Sequence, residues 1–241
     1  MKTTTFKSLI AVIGLLICSV FVNAQMKKNN YVPLFNGVNG QGWHLANGNP
    51  FPENGWVIKD STITIEASNG KESDTYGDIV TEKEYGAFDL VFDFKLSPGA
   101  NSGVKYFVTL AEQTTGSAIG LEYQVLDDEL HPDAKRGKDG NRTLASLYDL
   151  VKGEKSKSII KPIGEWNHGR IVVYPNNHVE HYLNGVKVLE YERGSAAFRE
   201  LVAQSKYAKW PHFGEAPKGH ILLQDHGNEV SFKNIKIKEL N

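Results

Sequence analysis

The sequence predicts an all-β sandwich with one long loop insertion and one short helix. Three observations carry that prediction. Apolar and polar residues alternate with period two along several strand-length segments, the signature of strands buried on one face. Turn pairs such as Asn36-Gly37, Pro98-Gly99 and Asn184-Gly185 punctuate them, because Asn and Gly accept positive φ and Pro presets a turn. No internal repeat or low-complexity linker divides the chain, and all-β domains of roughly 200–250 residues are common as single units. A single domain over residues 25–241 is expected.

The run Y-V-P-L-F-N-G-V-N-G-Q-G-W from Tyr31 opens the domain with two Asn-Gly turns. Trp56 to Ile58 and Thr62 to Ile65 read as a hairpin across Asp60-Ser61. Phe88, Leu90, Phe92, Phe94 and Leu96 share one parity, with Asp89, Asp93 and Lys95 on the other, so this strand has a core face and a polar face. Pro98-Gly99 ends it. A turn at Asn101-Ser102-Gly103 follows, and Val104, Tyr106 and Val108 continue the apolar parity with Lys105 and Phe107 opposite. Leu121, Tyr123 and Val125 then alternate with Glu122 and Gln124, which places a carboxylate and a carboxamide on an open sheet face.

Residues 127–165 form an excursion well beyond the roughly 12–15 residues at which loops in compact domains become functional or disordered. Its Leu144, Leu147, Tyr148, Leu150 and Val151 require part of it to pack. Strands resume at Arg170 to Tyr174, Val179 to Leu183 and Val186 to Tyr191, the last two joined by Asn184-Gly185. Ser195 caps a helix reaching Lys209, with Phe198, Leu201, Val202 and Ser205 near one stripe. Ile221 to Leu223 is a short strand. In the closing strand Val230, Phe232, Ile235 and Ile237 change parity near Asn234, as a bulge requires.

Residues 1–24 read as an export signal: Lys2 and Lys7, an apolar run from Leu9 to Val22, and a small-residue cleavage site at Ala24. The apolar run is shorter than the roughly 20 residues of a spanning helix, so a periplasmic or extracellular protein without integral membrane association is expected. Ile17 is bulky where a lipoprotein signal ending at Cys18 wants a small residue, which argues against lipidation. Beyond residue 24 the sequence has no cysteine, excluding disulfides, a thiol nucleophile and thiolate metal ligands. A formal net charge of -1 gives no field for nucleic acid. There is no G-x-S-x-G elbow, P-loop or dinucleotide fingerprint.

The acid-base residues gather where the Glu122 strand ends. Asp127, Asp128, Glu129, His131 and Asp133 crowd around Pro132, and Glu122 and His131 are the candidates for proton transfer, His because its unperturbed pKa is about 6.5. Gln224, Asp225, His226, Gly227 and Asn228 close another strand, and strand ends of a sandwich converge at one rim. Lys105, Glu180 and Tyr182 alternate away from the core as candidate floor residues of a cleft, and Trp43, Trp166 and Trp210 suit stacking on a sugar ring. Each has a plainer alternative: a surface carboxylate, a turn-capping histidine, a core tryptophan. His168, His178 and His181 lack metal-ligand spacing. Oxygen-rich donors leave a divalent ion open without demanding one.

N-S-G-V-K-Y-F-V, E-Y-Q-V-L-D-D-E-L-H-P-D-A-K, G-N-R-T-L-A-S-L-Y-D-L, E-W-N-H-G-R, E-H-Y-L-N-G-V-K-V and L-Q-D-H-G-N-E-V-S-F-K-N-I-K-I-K-E-L, in this order after the opening L-F-N-G-V-N-G-Q-G-W, resemble the 3-keto-disaccharide hydrolase domain family. The resemblance spans about Tyr31 to Asn241. It implies a concanavalin A-like jelly roll and a carbohydrate substrate oxidised at C3. A 3-keto group acidifies the C2 hydrogen, so a base removes it, an enolate forms and the aglycone leaves C1 with help from an acid. On that reading Glu122 and His131 share the base and acid roles in an order left open. Asp225, His226 and Lys105 orient them or stabilise the enolate, and Gln124, Asp127, Tyr148, Trp166, Glu180 and Gln224 contact sugar. The alternatives are a non-catalytic lectin-like binding module and a conventional glycosidase with two carboxylates.

Overall fold

The computed structural model describes residues 30–68, 75–114 and 117–241; the expected leader, residues 1–24, lies outside them. After the two-residue β1 (Val32–Pro33), Leu34 N–H donates to Ile235 O at 2.9 Å. The strands that follow are β2 (Trp43–Leu45), β3 (Trp56–Lys59), β4 (Thr62–Ile65), β5 (Ile79–Thr81), β6 (Phe88–Leu96), β7 (Asn101–Thr114) and β8 (Ser117–Leu126). Beyond the insertion come β9 (Asn167–Val173), β10 (His178–Leu183), β11 (Val186–Glu192), the helix α1 (Ala196–Ala203), β12 (His220–Leu223) and β13 (Val230–Glu239). They form two antiparallel sheets stacked as a jelly-roll sandwich. The larger runs β11-β10-β9-β6-β13-β4-β3 and the smaller β2-β5-β12-β7-β8.

The alternation in the sequence is the cause of the layering. Phe88, Leu90, Phe92 and Phe94 of β6 are fully buried against Tyr106, Leu121 and Tyr123 of the smaller sheet; the rings of Phe92 and Tyr123 meet edge to face at 5.2 Å. Each such side chain contributes about 1.5–3 kcal/mol by leaving water. One polar network crosses this core. Tyr106 Oη lies 2.8 Å from His181 Nε2 and 2.8 Å from Tyr191 Oη, while His181 Nδ1 lies 3.2 Å from Ala145 O. The carbonyl can only accept, so Nδ1 carries the proton and Nε2 accepts from Tyr106. Burial pushes the His181 pKa down to about 3, which keeps the ring neutral.

Three local expectations are corrected. Asn101-Ser102-Gly103 belongs to β7 rather than to a turn, because the chain already reverses where Ala100 N–H donates to Ser97 O at 3.1 Å. Phe107 adopts φ 52° in β7, where the register with β8 shifts, and this bulge turns Phe107 into the main core and Val108 to the other face. The helix stops at Ala203 and a 3-10 turn, Lys206–Lys209, replaces its last stretch. Ser195 does cap α1, accepting from Phe198 N–H at 3.1 Å, and the β13 register shifts between Lys233 and Lys236, flanking the parity change expected at Asn234.

The insertion has no strand of its own among the described residues, but it covers the edge of β8. Ala145 N–H donates to Gln124 O at 2.8 Å, Gln124 N–H to Ser146 O at 3.1 Å and Tyr148 N–H to Glu122 O at 3.0 Å. An open edge would otherwise template pairing with another chain. The same bonds bring the insertion's side chains against Glu122.

Candidate active site

The outer face of the smaller sheet holds the candidate site. Lys105 of β7 stands opposite Glu122 of β8 in register, and Gly103 stands opposite Gln124. Gln224 N–H donates to Gly103 O at 2.9 Å, so Gln124 and Gln224 flank Gly103 on either side. Gly103 is needed there because a Cβ would lie 2.4 Å from Glu122 Oε1. The carboxylate of Glu122 thus occupies the space above a glycine backbone.

Glu122 is 4% exposed and Lys105 6%. Lys105 Nζ lies 3.7 Å from Asp78 Oδ2, and Asp78 Oδ1 accepts from Asp225 N–H at 2.8 Å. Burial raises the pKa of Glu122 above its usual range, with Lys105, Lys206 and His226 pulling it back and Asp78 adding to the rise. A carboxylate that is desolvated yet faced by cations is a stronger base than a surface one. The rim supplies two imidazoles: His131 and His226 meet edge to face, ring centres 5.7 Å apart. His131 Nδ1 accepts from Asp133 N–H at 3.2 Å, which leaves its proton on Nε2. Burial, and then His226, lower the His131 pKa, favouring the neutral ring that donates through Nε2.

The insertion braces this arrangement. Tyr148 Oη donates to Asp133 Oδ2 at 2.7 Å, and Arg142 bridges Asp133 Oδ1 at 3.0 Å and Asp149 Oδ1 at 2.7 Å. Asp149 Oδ2 accepts from Lys206 N–H at 2.9 Å, and Lys206 Nζ sits 4.2 Å above the Tyr148 ring.

The sequence-derived candidates divide accordingly. Glu122, Lys105, Gln124, Gln224, Tyr148, His131 and His226 come together on this face and its rim. Asp225 is beside them, but its Oδ2 accepts from Tyr76 N–H at 2.7 Å and Gly77 N–H at 3.2 Å and its Oδ1 from Gly227 N–H at 2.9 Å. It shapes the loop that carries His226. Asp127 is likewise engaged by backbone, accepting from Gly99, Glu129 and Leu130 N–H. Glu180 and Trp166 are not brought to the site. Glu180 lies between the core residues Val179 and His181 on the outer face of the larger sheet, bonded to Tyr174, Tyr182 and Lys187. Trp166 packs under Lys95 and Lys233 of that same sheet. Alternation identified Glu180 as facing away from the core but not which sheet it faces from, and Trp166 was named only as a ring suited to stacking on a sugar.

Sequence reasoning missed Gly103, Asp78 and Lys206. None carries a local signal: each acquires its role from a partner distant in sequence. Among the described residues, the group close enough to share a metal ion is His178, Glu180 and Glu190, with donor atoms within 4.8 Å of one another. It is on the larger sheet, and Lys187 Nζ already bridges Glu180 at 3.1 Å and Glu190 at 2.7 Å.

Fold and site together define a jelly-roll sandwich with a buried carboxylate, paired lysine and rim histidines on one outer face. The chain belongs to the family of 3-keto-alpha-glucoside-1,2-lyase-like domains, whose model matches residues 30–238. It is 36% identical over 234 residues to a 3-keto-disaccharide hydrolase of Bacteroides thetaiotaomicron, covering 88% of this chain and 79% of that protein. A crystal structure of a candidate glycosyl hydrolase from Parabacteroides distasonis superposes with TM-score 0.74 at 32% identity, covering 88% of this chain and 94% of the other. A second from the same organism gives 0.63 at 28%, covering 88% and 100%.

Proposed function

We propose that this chain is a carbohydrate-active hydrolase that cleaves 3-keto glycosides by elimination, with Glu122 as the base that removes the C2 proton. The observation that carries the assignment is the state of Glu122: buried above Gly103, raised in pKa and faced by cations. The His131–His226 pair supplies the proton donor toward the leaving oxygen, and Gln124 and Gln224 hydrogen-bond the sugar hydroxyls. Among the described residues, two buried atoms there, Gln124 Nε2 and Gln224 Oε1, have no hydrogen-bond partner, so the polar capacity of both carboxamides is only partly used. Water adds to C1 after the aglycone leaves, which completes a net hydrolysis. The substrate class rests on the family and its 36% identical relative, and export on the leader read at residues 1–24.

Elimination is favoured over two-carboxylate displacement because, among the described residues, the carboxylates beside Glu122 at this face, Asp78 and Asp225, are committed. Asp78 is held between Lys105 and Asp225 N–H, and Asp225 by three backbone N–H groups. A displacement mechanism needs a second carboxylate free to work on the anomeric carbon. Assaying the protein on a 3-keto glucoside and on its unoxidised parent separates the two. Cleavage of the keto substrate alone is expected; equal cleavage of the unoxidised glucoside would overturn the assignment.

A further inference from the structure

Two lysines act on Glu122, and they differ in a way the reaction can use. Lys105 is buried and compensated, 3.7 Å from Asp78. Lys206 is exposed as a residue, lines a cavity of about 300 Å³ with Arg142 and Asp149, and turns its amine inward over two rings. Its Nζ is 4.2 Å from the centre of Tyr148 and 5.1 Å from that of Tyr207. Among the described residues no carboxylate forms an ion pair with it. Its backbone is fixed by Asp149, whose other oxygen holds Arg142, so the amine is positioned by the insertion rather than by its own sheet.

We propose that Lys206 is a catalytic residue, the cation that meets the enolate oxygen formed at C3 of the substrate. The inference rests on the 3-keto reading above. The Glu122 carboxylate takes the C2 proton, the C2–H pair becomes the C2–C3 double bond, and the carbonyl pair moves onto the C3 oxygen. That pair then returns to reform the ketone, the C2–C3 pair becomes the C1–C2 double bond, the C1–oxygen bond breaks with its pair leaving on the oxygen, and that oxygen takes its proton from the rim. Negative charge therefore passes from Glu122 to the C3 oxygen while the total is conserved. A cation held over the ring of Tyr148, whose backbone N–H donates to Glu122 O at 3.0 Å, is in place to meet the charge as it leaves the carboxylate and arrives on the C3 oxygen, which is the requirement for preorganised electrostatic catalysis. Burial of the amine among the rings lowers the Lys206 pKa and Glu122 opposes that fall, consistent with an ammonium whose chief counter-charge is the base. Lys105 is less suited, since Asp78 already balances it.

The test compares Lys206→Met and Lys206→Arg with the wild type on a 3-keto glucoside, reading kcat, KM and the acid limb of the pH profile. Lys206→Met is expected to lose about 10²–10³-fold in kcat with KM changed only a few-fold, and Lys206→Arg to recover part of it. In the Met variant the acid limb moves to higher pH, because one of the cations that lower the Glu122 pKa is gone. Melting curves of both variants establish that they fold. A Met variant with wild-type kcat, or one affected through KM alone, overturns the proposal while leaving the 3-keto reading standing. Absence of turnover by the wild type itself would remove the reading and the inference with it.

Discussion

The two outer faces of the sandwich both carry charge, and they treat a buried glutamate in opposite ways. On the larger sheet Glu180 accepts from Tyr174 Oη at 3.0 Å, Tyr182 Oη at 2.8 Å and Lys187 Nζ at 3.1 Å. Burial works to raise its pKa, but bonds from Tyr182, Lys187 and Tyr174 hold it below the usual carboxylate range. Arg170 beside it forks onto Asp89 at 2.8 and 2.7 Å. On the smaller sheet Glu122 lies deeper, 4% exposed against 8% for Glu180, and desolvation outweighs its cations, so its pKa rises. Saturation with donors makes a structural carboxylate; burial beside distant charges makes a base. On the proposed function, the same residue type serves stability on one face and chemistry on the other.

The comparison breaks most sharply at Glu122. Glu122→Gln is expected to lower kcat by about 10²–10⁴-fold, the usual worth of a general base, measured on a 3-keto glucoside. The same variant should melt no lower than wild type at neutral pH, by differential scanning calorimetry. The sign follows from linkage: a pKa raised in the folded state gives stability that is full below the unfolded value and is lost as pH rises through the folded one. Removing the charge therefore relieves a cost. Next in size is Gly103→Ala, whose Cβ displaces the Glu122 carboxylate; a loss of about tenfold or more in kcat is expected in a folded protein, since about 1.4 kcal/mol of misplacement suffices.

The pH profile sharpens the contrast. Wild-type kcat/KM is expected to fall on the acid side with a midpoint above that of an ordinary glutamate, because Glu122 must be ionised to act. The smallest effect belongs to Glu180→Gln: unchanged kcat/KM and about 1 kcal/mol less stability at neutral pH. Glu180 has the depressed pKa, so its contribution is present above the unfolded value and disappears as pH falls through the folded one. Thermal melts of wild type and Glu180→Gln should therefore converge in acid.

Strand order aside, much of this architecture is written locally. Period-two alternation in β6 and β8 names the core face residue by residue, and with it the outward direction of Glu122 and Gln124. The Phe107 bulge escapes because a positive φ at a phenylalanine has no local signature and is imposed by tertiary packing. The division of outward-facing residues between two sheets escapes for a similar reason: Lys105 and Glu180 look alike in one dimension, and only the pairing of strands distant in sequence separates them. Lys206 and Asp78 are likewise invisible, since nothing in their own neighbourhoods distinguishes a site residue from a solvated charge.

The central claim, that Glu122 removes a proton from C2 of a 3-keto glycoside, is tested most directly by running the reaction in deuterium oxide and locating the label by nuclear magnetic resonance. Elimination followed by hydration predicts one deuterium at C2 of the released 3-keto sugar with the wild type, and none above the enzyme-free control with Glu122→Gln. Release of the aglycone by the wild type with C2 still fully protonated would contradict it.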